Sequence, residues 1–329
     1  MTYITGGLIQ AADYNGFVST TAGANINATW NSAYGQPALS TVVVGGTVTA
    51  AQWATLNTTI SQMGAHQGTA ITSRTNPVAG NIISVLTNVN TDITNCYNNR
   101  ANAALVGTQF TGWTGTASFP GGIGNTSGNV DGKWTATFTD TVTFSNASAA
   151  TSFFNAGGLI KVQFSKTSTG TTGDTAWNGF ILNTCANVGV FLSGANTAHT
   201  IAGQTYYGTT ARGGAGTPSI LASGTGFFNL TTTPVAIYKQ YPSAGPYSSN
   251  YVQVTAAVNN NVTPTSLTLV TTWYENGESS VTTLTGGTAT TGIAFGTAAA
   301  TVVTYTPPET TYITNVWGTP TVLSSVANI

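Results

Sequence analysis

The chain has 329 residues, of which 7 are Lys or Arg and 8 are Asp or Glu, so 5% are charged and the formal net charge is -1. Ordinary domains are about 25% charged. Enzymes, nucleic-acid binders and membrane-surface proteins build local fields from ionised groups, so this scarcity predicts a non-enzymatic protein with no catalytic residues, cofactor, metal or nucleic-acid partner.

With 41% hydrophobic and 10% aromatic residues, the chain can furnish real cores, and its length suits two domains. No apolar run approaches the ~18 residues that span a bilayer, so no membrane insertion is expected. The start, Met1 to Gly7, lacks the basic and apolar parts of a secretory signal. It reads as a protein made in a cytoplasm. Cys96 and Cys185 fall in no metal or redox spacing and read as two buried thiols.

Near the N-terminus, Gly6-Gly7-Leu8-Ile9-Gln10-Ala11-Ala12-Asp13-Tyr14 returns as Gly45-Gly46-Thr47-Val48-Thr49-Ala50-Ala51-Gln52-Trp53. In the second copy Thr49 and Gln52 form a capping box, and Val48 and Trp53 sit at hydrophobic-staple positions. Trp53, Leu56, Ile60 and Met63 then make one apolar stripe, which predicts a helix. Ile9 and Tyr14 hold the staple positions of the first copy, whose stripe through Phe17 and Val18 can continue to Ile26 and Trp30, weakened by Gly16 and Gly23. A third helix is expected over roughly 77 to 104, with Asn76 as N-cap, Pro77 as first residue, and Ile82, Leu86, Val89, Ile93 and Cys96 or Tyr97 on one face. Residues 1–105 thus read as a helical module with two looser connections, Tyr34-Gly35-Gln36-Pro37 and Gly64 to Thr75.

Beyond residue 106 helical stripes give way to short strand-like runs: Lys133 to Phe138, Val142 to Ser145, Leu159 to Ser165, Gly179 to Leu182, Val188 to Leu192, Gly226 to Leu230, Val235 to Tyr241, Tyr251 to Val258, Ser266 to Glu275 and Ser279 to Leu284. Asn276-Gly277 reads as a hairpin turn after Leu267 to Glu275. The expected fold class is α+β, mainly β: the helical module followed by an antiparallel β-sandwich or jelly-roll-like domain over 106–300. Residues 301–329 read as an extended C-terminal segment, which either adds edge strands to its own sandwich or reaches a neighbouring subunit.

Few residues suggest chemistry. His66 and His199 have no neighbouring ligands, and His66 reads as a hydrogen-bonded loop residue. Glu275 and Glu278 flank the Asn-Gly turn and read as solvated turn residues, Asp131 and Asp174 as turn formers, and Gly213 to Gly216 as a flexible loop beside Arg212. Tyr206, Tyr207, Tyr247, Trp273 and Tyr274 belong to a set of rings that serve as core, as subunit contact or as glycan contact.

Ala12-Asp13-Tyr14-Asn15, Gln52-Trp53 with His66-Gln67-Gly68, and Phe153-Phe154-Asn155-Ala156-Gly157-Gly158 resemble virion structural proteins of tailed bacteriophages, notably marine and cyanobacterial myoviruses. The similarity covers roughly residues 4 to 70 and 150 to 165. It implies a non-enzymatic tail, fibre, collar or particle-surface protein located in the virion, with copies of itself and other virion proteins as partners. Ile9, Tyr14, Val48 and Trp53 are the expected docking residues, and deletion of 1–105 is expected to abolish docking while the remainder folds. The alternative is a host-receptor module that grips surface glycan through the aromatic loops.

Overall fold

The computed structural model describes residues 11–19, 23–78, 86–101, 111–119, 134–167, 172–190, 199–201, 204–206, 210–222, 225–243, 248–276, 283–284, 287–288 and 299–328. The class is α+β, with helices at the N-terminal end and antiparallel sheets after them. Two compact units form, one from Met1–Gly107, Ser148–Gly158 and Pro308–Gly318, the other from Thr108–Ala147, Leu159–Pro307 and Thr319–Ile329. The division therefore differs from one at residues 105 and 300. Two excursions from the later chain complete the helical unit, and residues 301–329 are shared between both units instead of forming a separate segment.

The helical unit contains α1 (Ala11–Val18), α2 (Ile26–Trp30), α3 (Ala50–Gln67), α4 (Leu86–Asn98) and most of α5 (Ala147–Asn155). Gly23, at φ +93°, separates α1 from α2, and the Asn25 side chain then caps α2 by accepting from the Ala28 N–H at 2.9 Å. On α3 the capping box closes both ways: Thr49 Oγ1 accepts from Gln52 N at 3.2 Å, and Gln52 Oε1 accepts from Thr49 N at 2.8 Å. Gly68, at φ +66°, ends that helix. The stripe Trp53, Leu56, Ile60 and Met63 is fully buried, and the rings of Tyr14 and Phe17 meet Trp53 edge-on at 5.7 and 6.0 Å.

The third helix starts later than Pro77, because residues 77 and 78 are not helical and α4 is described from Leu86. The strand-like approach explains this. Thr72 N–H donates to Asp92 Oδ2 at 3.0 Å and Arg74 pairs with the same carboxylate, so the chain runs beside α4 before entering it. Asn76, preceding proline, is also biased away from helical backbone. Val89, Ile93 and Cys96 form the buried face.

Tyr34-Gly35-Gln36, expected as a loose connection, is instead where the three segments of the helical unit meet. Gly35 has φ +70°, and a Cβ there would lie 2.3 Å from Ser152 Oγ and 2.8 Å from Val316 Cγ2. Gln36 is buried and pairs with the backbone of Thr314: Oε1 accepts from Thr314 N at 2.9 Å and Nε2 donates to Thr314 O at 2.9 Å. His66, on the last turn of α3 and not in a loop, is within 3.0 Å of Ala156 O through Nε2, which must donate because a carbonyl only accepts. Deleting 1–105 would thus strip both excursions of their partners.

The β unit holds β1 (Thr111–Phe119), β2 (Trp134–Thr143), β3 (Leu159–Lys166), β4 (Asn187–Val190), the hairpin of β5 (His199–Ile201) and β6 (Gln204–Tyr206), then β7 (Thr210–Arg212), β8 (Ile220–Leu221) and β9 (Val235–Gln240). It continues with β10 (Tyr251–Val258), β11 (Ser266–Glu275), the hairpin of β12 (Thr283–Leu284) and β13 (Gly287–Thr288), β14 (Ala299–Thr306) and β15 (Thr321–Asn328). A five-stranded antiparallel sheet has the order β1-β14-β3-β4-β7, and a six-stranded one β15-β2-β11-β10-β9-β8. Strict alternation on β10 and β11 sends Val252, Val254, Ala256, Leu267, Leu269 and Trp273 inward. Trp273 meets Phe138 of its own sheet at 4.9 Å and Phe164 of the other at 6.5 Å, which makes a sandwich core. Of the two roles open to residues 301–329, the strands they supply pair inside their own chain, β14 between β1 and β3 and β15 along β2.

Tertiary pairing overrides several local signals. Both edges of β11 are taken, by β10 and by β2, so the run before Asn276-Gly277 does not pair with the run after it. Residues 179–182 are helical, α6 (Thr172–Gly179) passing into a π-helical turn (Phe180–Cys185) that buries Phe180, Ile181 and Cys185. Residues Phe227–Asn229 form a 3-10 turn. Helix α5 was legible in the spacing of Ala149, Ala150, Phe153 and Phe154. Gly213 to Gly216 is packed tightly, since a Cβ on Gly214 would sit 2.1 Å from Thr184 O, and Gly216 N–H donates to that same carbonyl at 3.1 Å.

The junction at Gly35 yields a direct expectation. Gly35→Ala combines a positive φ with an unavoidable contact on Ser152, and should cost about 3 kcal/mol or more in urea unfolding. A loss within about 0.5 kcal/mol would show that the junction does not hold the unit together.

Candidate functional site

Most chemically capable side chains in the described structure point inward. Asp92 and Arg74 form a buried ion pair, with Thr72 closing the remaining side of the carboxylate. Asp140 is fully buried in the sandwich, where Thr301 Oγ1 from the opposite sheet donates to it at 2.8 Å and Ser324 Oγ donates from β15. Burial pushes its carboxyl above the ordinary value of 3.8, and the two hydroxyls pull in the other direction. Lys161 is buried and pulled down to about 8 by desolvation. Cys96 and Cys185 are buried thiols, each pushed up to about 12 mainly by burial, and so are poor nucleophiles. Burial also lowers the His66 imidazole, against the opposing Ala156 hydrogen bond and the charge of Glu309.

The sequence-derived site residues separate. Tyr14 and Trp53 are core residues, Trp53 only 1% exposed, so they join helices to each other and present nothing for docking. The reason is that a staple works by burying both partners. Val48 is half-buried beside the α3 cap, and Ile9 lies outside the described residues. Trp273 is fully buried and cannot touch a glycan, because alternation on β11 turns it inward. Glu275 is likewise 2% exposed and is not a solvated tip residue, while Glu278, Tyr207, Tyr247 and Asp131 lie outside the described residues. Tyr206 and His199 occupy paired positions on β6 and β5. Asp174 sits on α6, not in a turn, and Arg212 on β7.

Tyr274 belongs to a cross-strand ladder on the outer face of the six-stranded sheet. Its ring stacks on Tyr251 at 4.9 Å and 23°, Tyr251 meets Tyr241 at 5.8 Å, and Lys239 Nζ lies 3.8 Å from the Tyr251 ring centroid. The central ring has its faces engaged by protein. Outward along β2, β10 and β11 run Thr135, Thr137, Thr139, Thr141, Gln253, Thr255, Thr268 and Thr272, all half-exposed and uncharged. In the helical unit the most exposed apolar residues are Val43 and Val44, at 79% and 100%.

The segment leading into their turn is held at two points. Asn15 Oδ1 accepts from Val42 N and Nδ2 donates to Val42 O, both at 2.7 Å. Asn27 does the same for Leu39, both at 2.9 Å. Gly46 N–H closes the turn on Val43 O at 2.9 Å, with Gly45 at φ +80°.

Among the described residues no group of three His, Cys, Asp or Glu side chains could hold a metal ion, and no helix is long and apolar enough to cross a membrane. No family model, no curated protein and no solved structure matches the chain.

Asp140 gives a pH-dependent expectation. Its folded pKa lies above the unfolded one, so its contribution is fully present below the unfolded value and is lost as pH rises through the folded value. Asp140→Asn keeps a carbonyl acceptor for one hydroxyl, offers an N–H to the other, which can turn to accept it, and removes the charge. It should raise the melting temperature near neutral pH, with the gain vanishing below about pH 3.5. A lower melting temperature at neutral pH would mean that the ionised carboxylate is the stabilising form.

Proposed function

We propose that this protein is a non-enzymatic structural component of a tailed-phage virion, assembling with copies of itself and with other virion proteins. The reading is supported by the resemblance at Ala12 to Asn15, Gln52-Trp53, His66 to Gly68 and Phe153 to Gly158, and by the inward placement of the ionisable groups described above.

The observation that carries it is the Val43-Val44 turn. Val43 and Val44, 79% and 100% exposed, would each gain about 1.5–3 kcal/mol on burial against a partner. Here Asn15 and Asn27 fix the segment at both ends of Leu39 to Val42, so the tip is preorganised and little ordering entropy remains to be lost on contact. The proposed docking runs through Val43 and Val44 of the helical unit, since the stapled rings are buried.

The test replaces both tip residues, Val43→Asp with Val44→Asp. Neither side chain is packed, so the unfolding free energy should stay within about 0.5 kcal/mol of the parent. Incorporation into purified particles, read by mass spectrometry, should fall at least about tenfold, as expected when two buried apolar anchors become charged. Incorporation at parental abundance would refute the docking role, and absence of the parent chain from particles would refute the virion reading itself.

A further inference from the structure

Beside the tyrosine ladder lies an open cavity of about 590 Å3 in the β unit, within the range of small-ligand sites. It sits where the end of the π-helical turn, the tight loop leading to β8 and the residues after β9 come together. Its walls carry Thr184, Thr217, Ser219, Gln240, Tyr241 and Ser243. None of these is charged at neutral pH.

Three features define what would fit. The hydroxyls of Thr184, Thr217, Ser219 and Ser243 can each donate and accept, and Ser219 Oγ spends one donation on Lys239 O at 3.1 Å while keeping its acceptor capacity. The Gln240 carboxamide is buried, with Nε2 donating to Tyr241 O at 2.8 Å, whereas its Oε1 has no hydrogen-bond partner among the described residues. A buried amide oxygen without a partner is costly, and a turn of the Gln240 side chain toward the cavity would bring that closed-off oxygen to a ligand hydroxyl. Tyr241 ends the ladder and adds an aromatic wall anchored by Tyr251, so its position is set before anything binds.

We infer that this cavity is a binding site for an uncharged saccharide. Sugar hydroxyls donate and accept as the wall hydroxyls do, and the C–H face of a pyranose matches an aromatic ring. No charged side chain lines the walls, and Lys239 Nζ, 5.1 Å from the Tyr241 ring, is engaged with the Tyr251 ring at 3.8 Å, so an ionic ligand would lose its hydration with no wall charge to replace it. A peptide's fixed N–H and C=O groups would use each wall hydroxyl in only one of its two capacities. This site stands apart from the Val43-Val44 turn and does not depend on the protein being a virion component.

The full chain should be applied to an array bearing neutral hexose and N-acetylhexosamine oligosaccharides beside sialylated and sulfated ones and an uncharged oligo-alanine peptide. The best neutral binder is then titrated calorimetrically against the parent, Tyr241→Ala and Ser243→Trp. Retention of neutral sugars alone is expected. Tyr241→Ala should weaken binding about tenfold or more, and Ser243→Trp, at an exposed rim position, should abolish it with an unchanged melting temperature. Three results overturn the inference: no neutral sugar retained, preference for the anionic sugars or the peptide, or undiminished binding by a folded Ser243→Trp chain.

Discussion

A side-chain carboxamide standing in for a peptide group recurs through the helical unit and supports its architecture. Asn15 pairs with Val42, Asn27 with Leu39 and Gln36 with Thr314, each offering its C=O to a backbone N–H and its N–H to the matching backbone C=O. An extended segment packed on helices has no strand beside it, and its backbone groups would otherwise have to face water or go unmet. The amide has the same donor and acceptor as a peptide bond and carries no charge, so it can be buried without the desolvation penalty of an ion. The scarcity of charged residues and the abundance of such clamps are thus two aspects of one solution.

In the β unit Asp140, Lys161, Lys166 and Glu275 are drawn into the interior, and Asp140 serves as a polar tie. Asp140 lies on the inner face of the six-stranded sheet, yet it takes a hydroxyl from Thr301 of the other sheet and one from Ser324 on β15. Both hydroxyls come from the last thirty residues, so the carboxylate links the C-terminal strands to the middle of the sandwich. The burial that raises its pKa also strengthens each of those hydrogen bonds through the low local dielectric.

With charges spent inside, the exterior is left to hydroxyls, amides and selected apolar points. Threonines on a half-buried sheet face give a surface that neither repels a copy of itself nor responds strongly to salt. Against that neutral background Val43 and Val44, with Val262 and Leu323 elsewhere, project apolar area, while the tyrosine-walled cavity recedes behind hydroxyls.

The sequence by itself determined the α+β class, the start of α3, and the bounds of β10 and β11, because capping boxes and two-residue alternation are complete within a few neighbouring residues. It also contained the spacing that marks α5, obscured by the surrounding Gly and Thr. What only the tertiary structure decided is which residue meets which. Gly35 and Gln36 looked like a loose link because their partners lie near Ser152 and 278 positions away at Thr314. Glu275 looked exposed because a hairpin was expected after it, but β10 and β2 had already taken both edges of its strand. The staple positions of Tyr14 and Trp53 and the alternation at Trp273 were local signs of an inward face, but only closure of a core decided what covers each ring. Local geometry is encoded by short-range hydrogen bonding and periodicity, whereas the choice of partner depends on contacts between segments that the linear order keeps apart.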